Sequence, residues 1–290
     1  MARLGYCLIV FACALCGEVA TRAQQPPSPE VLKQLEQIER RFLYMPRKYG
    51  EETVDGFAER GGVRIDYQTE QGAQTAWWIP QAQGTSPERV WIFCGGNGSL
   101  ALDFESFVRA LPFASDAYLL VDYPGYGECE GSPDPGAIRE NVKGAVAAAA
   151  KATGIDLTSE PTKLRAFGHS LGAAAALMAV EECDIPGVVC YAPFTSTPDM
   201  ARIKFMVSKD IPIQHVFDNR TGLKALAANK GHAWILHGDR DGVIPVDMSR
   251  TLAEEFKEVV DLTVVAGGDH NDVFARHQAL LLKAMTAARK

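Results

Sequence analysis

The sequence predicts an α/β architecture: a mostly parallel central sheet, an N-terminal antiparallel hairpin, and helices on both faces. Two observations carry this. From residue 90 onward, short runs that are apolar on both faces alternate with helix-like stretches, as expected of strands buried between two helix layers. Ahead of them, two strand-like runs flank a glycine-containing turn, which marks a hairpin. A parallel sheet carries its ligand-binding loops at the carboxyl ends of its strands. Those ends are therefore where a function is to be sought.

The elements follow in order. Residues 4–17, LGYCLIVFACALCG, form an apolar stretch behind Arg3, and Thr21-Arg22-Ala23 offers small residues for cleavage before Gln24. This reads as a secretory signal peptide over 1–23, too short to span a bilayer, and implies export to a periplasm or beyond. Val10-Phe11-Ala12-Cys13 only faintly resembles a lipoprotein cleavage box. Residues 24–61 are a lead-in: a polar start, then 29–44 with Val31, Leu32, Leu35, Ile38 and Phe42 on one helical face. The α/β domain occupies 62–290. VRIDYQTE (63–70) and QTAWWIP (74–80) form the hairpin, with the Trp77-Trp78 pair expected as strand core plus an exposed partner. Strands are expected at 90–96, 117–123, 163–169, 188–194, 233–239 and 259–267. Helices are expected near 136–152, from Ser170, near 247–257 and near 271–288. Residues 195–232 stand where a lid would be inserted. They are few for one, so a short lid with a helix near 198–207 and an open, shallow pocket is expected, lined by Met200, Ile203, Phe205 and Met206 if these do not simply pack on the sheet.

Composition narrows the function. With 47% hydrophobic and 22% charged residues the chain can bury a sizeable core. A net charge of −7 without a run of Lys or Arg argues against a nucleic-acid partner. Four cysteines, Cys94, Cys129, Cys183 and Cys190, follow the leader; export permits disulfides, but at most one is expected, because Cys94 and Cys190 sit in strand-like runs. No Cys or His spacing suits a zinc site, and neither metal nor organic cofactor is expected.

GHSLG (168–172) sits between an apolar strand and a helix. Three fixed residues are too few to carry an assignment, and a serine there could simply cap the helix. In a sharp strand–turn–helix bend, however, the glycines leave room for close packing and the serine hydroxyl is lifted above the sheet. A serine needs a base. Among His169, His215, His232, His237, His270 and His277, only His270 lies in a glycine-rich loop after the last strand; His237 reads as structural and His277 as part of the final helix. The base needs an orienting carboxylate. The loop 236–245 offers Asp239 and Asp241, with Asp247 beyond.

Four motifs together resemble the α/β-hydrolase superfamily: GHSLG, HGDRDGVIP (237–245), GGDHND (267–272) and the turn VDYPGYGECEGSP (121–133). Within it the chain is most similar to the branch of small serine hydrolases with the fungal Bem46-like proteins and the mammalian depalmitoylating relatives. The resemblance implies Ser170 as nucleophile, Asp241 as acid and His270 as base, with Asp239 at a variable position. It also implies an oxyanion hole from the backbone N–H groups of Asn97, in CGGNGS (94–99), and Leu171. Gly95 stands where the family has histidine, which leaves open what holds that loop, and Cys129 stands where serine is common. The activity implied is hydrolysis of a small acyl ester, with thioesters as an extension and no cofactor; Met200, Ile203 and Met206 are the candidate substrate contacts. A catalytically inactive binding module is the alternative from another class. A peptidase would usually carry a larger cap, and a dehalogenase would carry aspartate at position 170.

Overall fold

The computed structural model describes residues 28–84 and 86–290; the expected signal peptide lies outside the described residues. Eight strands form one sheet in the order β1-β2-β4-β3-β5-β6-β7-β8. They are β1 (Val63–Thr69), β2 (Gly72–Ile79), β3 (Arg89–Cys94), β4 (Asp116–Val121), β5 (Leu164–His169), β6 (Gly187–Tyr191), β7 (His232–Gly238) and β8 (Val260–Val265). β1 pairs antiparallel with β2, and β2 antiparallel with β4; every other pairing is parallel. Two residues, Glu70 and Gln71, close the hairpin, and Gly72 takes a φ of 103° that a side chain would resist.

The helices are α1 (Pro29–Leu43), α2 (Glu51–Glu59), α3 (Glu105–Arg109), α4 (Pro135–Thr153), α5 (Leu171–Cys183), α6 (Thr197–Phe205), α7 (Asn219–Ala228), α8 (Val246–Glu255), α9 (Val273–Arg276) and α10 (Gln278–Ala288). Local chemistry sets several of their ends. Ser28 and Asp134 cap α1 and α4, and each is followed by a proline whose fixed φ suits a first helical turn. Gly154 ends α4 in the left-handed conformation.

The alternation of side chains divides the core into two layers. One face of the sheet, with Trp78, Ile92, Cys94 and Ala166, packs on α4, α5, α7 and α8. The other, with Trp77, Phe93, Phe167 and Val189, packs on α2 and α10. Trp77 and Trp78 are both buried, which corrects the expected exposed partner. β2 is an interior strand: β1 shields its edge, and helices cover it on both sides. The expected final helix is interrupted at His277, which terminates α9 and precedes α10, so His277 lies at a joint and not within a helix. The helix expected from Ser170 begins one residue later.

At the amino ends of the strands, away from the loops of interest, Arg289 donates twice to Asp116, at 2.8 and 2.8 Å, and Trp91 Nε1 donates to the same carboxylate at 2.9 Å. This joins the C-terminal residues to β3 and β4. At the centre, Phe167 stacks on Phe93 with ring centroids 4.7 Å apart and meets Phe274 at 5.8 Å. Phe167→Ala will therefore cost about 3–5 kcal/mol of stability, read as a lower urea midpoint; an unchanged midpoint would mean that this layer is not close-packed.

Candidate active site

The bend between β5 and α5 is held by backbone contact. A Cβ at Gly168 would lie 2.1 Å from the Gly172 carbonyl oxygen, and a Cβ at Gly172 would lie 2.1 Å from that of Cys94. Only glycine fits at either place. Ser170 is forced to φ 56° and ψ −120°, while its N–H donates to the Tyr191 carbonyl at 2.9 Å. Its hydroxyl makes no capping bond to α5. The helix-cap alternative for this serine is thereby set aside.

The hydroxyl instead meets His270. Ser170 Oγ lies 3.0 Å from His270 Nε2, and His270 Nδ1 lies 2.7 Å from Asp241 Oδ2. Residues 100 and 29 positions apart are thus joined in one hydrogen-bond chain above the sheet. Asp241 Oδ1 accepts from the N–H groups of Val243 and Ile244, each at 2.8 Å, which fixes the carboxylate in its own turn. Burial would raise this carboxyl, but hydrogen bonds from His237 and His270 outweigh it and hold Asp241 far below the ordinary range. An ionised Asp241 can only accept. The proton therefore sits on His270 Nδ1, and the lone pair of Nε2 faces Ser170.

The other candidates are placed elsewhere. Asp239 Oδ1 accepts from the Gly267 N–H at 2.7 Å, tying the ends of β7 and β8. Asp247 is exposed and pairs with Arg250. His237 is fully buried, with Ser249 Oγ at 2.7 Å and the Ile244 carbonyl at 2.9 Å, and its Nε2 also lies 3.3 Å from Asp241 Oδ2, behind the carboxylate and away from Ser170 in the hydrogen-bond chain. His169 points away from the hydroxyl and reaches the His270 carbonyl through Nε2 at 2.9 Å. Met200 packs against the core, whereas Ile203, Phe205 and Met206 are exposed. A groove of about 670 Å³ lies instead between α3 and the α9–α10 pair, lined by Phe104, Phe107, His169, Asn271, Phe274 and Leu282 among others. Among the described residues no cluster of three His, Cys, Asp or Glu could hold a metal ion.

The loop at 95–100 answers the question raised by Gly95. A side chain there would collide with Phe104 and Ser99, each within 3.0 Å of a Cβ. Support comes from elsewhere. Tyr123 Oη donates to the Gly95 carbonyl at 2.7 Å. The extended segment 44–50 runs alongside as a strap. Met45 N–H donates to Asn97 Oδ1 at 2.7 Å, Tyr126 Oη reaches the same oxygen at 3.2 Å, and Arg47 donates to the Gly98 carbonyl at 2.9 Å. Behind the strap, buried Asp122 accepts from Tyr49 Oη at 2.7 Å, Trp77 Nε1 at 2.9 Å and the Ala101 N–H at 2.8 Å. Burial pushes the Asp122 carboxyl up, and these three donors pull it back. Sequence reasoning missed the strap because its partners lie 50 to 80 positions away without any motif. Cys129 has a plain role. Its thiol lies 3.4 Å from the Thr75 N–H and 3.5 Å from the Thr75 carbonyl, pinning the 121–133 turn to β2. All four cysteines of the described residues are free thiols.

With this geometry in place, comparison with known proteins identifies the fold. The chain has the α/β-hydrolase fold: an esterase of Pyrococcus furiosus superposes with a TM-score of 0.62 at 17% identity, over 84% of this chain and 96% of its own. A serine hydrolase of Xanthomonas campestris described as lacking a lid gives 0.53 at 14% identity, over 78% and 93%. In sequence, the chain is 25% identical to an uncharacterized protein of Mycobacterium tuberculosis over 236 residues, 81% of each chain. No protein-family profile matches.

His169 generates a prediction. Burial pushes its imidazole down to about 4, and the neighbouring His270 adds repulsion. The unfolded chain regains a pKa near 6.5 and binds a proton that the folded chain refuses, so stability is lost as pH falls from about 6.5 to about 4. Urea titrations at pH 7 and 4.5 will show His169→Gln losing about 2–3 kcal/mol less than the native protein. Equal losses would refute a neutral buried His169.

Proposed function

We propose that this protein is a serine hydrolase cleaving carboxylic esters, with thioesters within reach, through an acyl-enzyme on Ser170. The observation that carries the reading is the hydrogen-bond chain Ser170–His270–Asp241 at 3.0 and 2.7 Å, on a serine held in a strained bend. His270 Nε2 takes the hydroxyl proton as Ser170 Oγ attacks the acyl carbon. Asp241 stabilises the imidazolium so formed. The oxyanion is received by the backbone N–H of Leu171, at the start of α5, and of Asn97, which no group of the described residues accepts. The tetrahedral adduct collapses, the C–O bond breaks, and the alcohol leaves with the proton held by His270. Water then gives a proton to His270 and attacks the acyl carbon; the acid departs and Ser170 recovers its proton.

Support comes from the fold and from the esterases among its structural neighbours. The aromatic groove beside His169 suits an apolar substrate. The proposal extends to the Bem46-like branch, which the four motifs resemble, and to export to a periplasm or beyond, for which the apolar leader speaks.

The test is labelling by a fluorophosphonate probe. Native protein will label, Ser170→Ala will not, and His270→Ala and Asp241→Asn will label roughly 10³-fold more slowly or worse. Folded native protein that resists the probe would overturn the reading and favour a binding module. Asn97→Ala keeps the backbone N–H but removes its anchor to the strap. Hydrolysis of a p-nitrophenyl ester will show kcat falling roughly tenfold with KM little changed, a fraction of the loss expected for a missing oxyanion donor; an unchanged kcat would mean that the strap does not position this loop.

A further inference from the structure

We infer that the mouth of the site is built to meet the surface of an anionic lipid layer. The inference deepens the ester-hydrolase reading by naming where substrate is encountered. Among the described residues, eight large apolar side chains are exposed, and five belong to segments bordering the site: Met45 (59%), Ile203 (60%), Phe205 (47%), Met206 (87%) and Val243 (49%). An exposed apolar patch on a monomer marks a contact surface. The segments that carry them are linked. Phe42 and Phe205 pack with ring centroids 5.7 Å apart, linking α1 to the end of α6. Lys204 Nζ donates to the Gly242 carbonyl, joining α6 to the turn of Asp241 and Val243. Met45 is bonded to Asn97 on the opposite loop. The rim thus runs from the oxyanion loop to the acid turn.

Charge selects the occupant. The protein carries −7 overall, yet residues 40–48 (RRFLYMPRK) and 202–209 (RIKFMVSK) hold seven cations and no anion. Arg40 pairs with Glu36 and Arg47 with Asp103, while Arg202 lies 4.0 Å from Asp199. Arg41, Lys48, Lys204 and Lys209 have no carboxylate within salt-bridge distance among the described residues, although Asp210 follows Lys209 in the chain. Aliphatic and aromatic side chains interleaved with unneutralised cations are the composition of an interfacial lipid-binding surface. Isolated from solvent in a protein partner, the same cations would need matched carboxylates; at an anionic lipid surface the lipid headgroups supply them while the apolar tips enter beneath.

The test uses the full chain carrying Ile203→Trp and vesicles of phosphatidylcholine with or without phosphatidylglycerol, prepared with brominated acyl chains. The introduced indole will blue-shift and be quenched on the vesicles with phosphatidylglycerol and not on phosphatidylcholine alone. Adding Lys204→Gln and Lys209→Gln will weaken partitioning roughly 30-fold, about a factor of five per cation. Sedimentation with vesicles without quenching would mean that the leader alone binds, and would overturn the inference. Equal quenching on both vesicle types would also overturn it. A blue shift without lipid that grows with protein concentration would make a second copy the occupant instead. Fluorophosphonate labelling of the same samples reports on Ser170 independently, so failure of the rim and failure of the hydrolase reading are told apart.

Discussion

The arrangement depends on one backbone contact, the approach of α5 to the end of β3 through Gly168 and Gly172. Two helical turns could not start this close to a neighbouring strand if either residue had a Cβ, because the space is already filled by carbonyl oxygens of Cys94 and Gly172. The contact does three things at once. It drives Ser170 to a positive φ of 56° that costs of order 1–3 kcal/mol and is offset by the surrounding core. It directs the first N–H groups of α5 upward, where the helix dipole favours negative charge. It also brings the loop after β3 beside the loop after β5, with the Cys94 and Gly95 carbonyls against Gly172.

Around that contact the structure separates parts made by local sequence from parts made by distant partners. The turn of Asp241 organises itself within a few residues, whereas the elbow also leans on Cys94 and Tyr191 and the loop of His270 on Tyr191 and His169. Their mutual alignment is supplied by the parallel register of β5, β6, β7 and β8, which sets three loops at one level. The strap works in the opposite way. Its residues have no structure of their own and are ordered by buried Asp122, which draws Tyr49, Trp77 and Ala101 to one carboxylate. A lone buried carboxylate would be costly, and here its lone pairs are occupied by three donors.

These two kinds of construction explain what could be read in advance. Strand and helix alternation is a local, periodic signal, and the layer architecture followed from it, with strand ends displaced by one to three residues. The Trp77-Trp78 pair was misread because alternation within β2 cannot reveal that helices cover both of its faces. The interruption at His277 had no marker either, since neither glycine nor proline occupies that position. The neighbourhood of Ser170, Asp241 and His270 was visible because each sits in a short motif with glycines that the bend requires. The candidate contacts Met200, Ile203 and Met206 were placed by position in the chain alone. Whether a side chain after β6 turns inward or outward depends on α1, more than 150 residues earlier, against which Phe205 packs.

The strap also gives the fold a point open to cleavage. Residues 45–48 carry no strand pairing and are exposed, yet Met45 and Arg47 hold the 95–100 loop through Asn97 and Gly98. A single peptide-bond cleavage there would leave the sheet, both cores and all three residues of the hydrogen-bond chain in place. What it would remove is the covalent tether that keeps Met45 beside Asn97, so the nicked chain would keep its fold and lose the support of that loop. How long that support lasts against a protease would then be set by the accessibility of four residues and not by the stability of the fold.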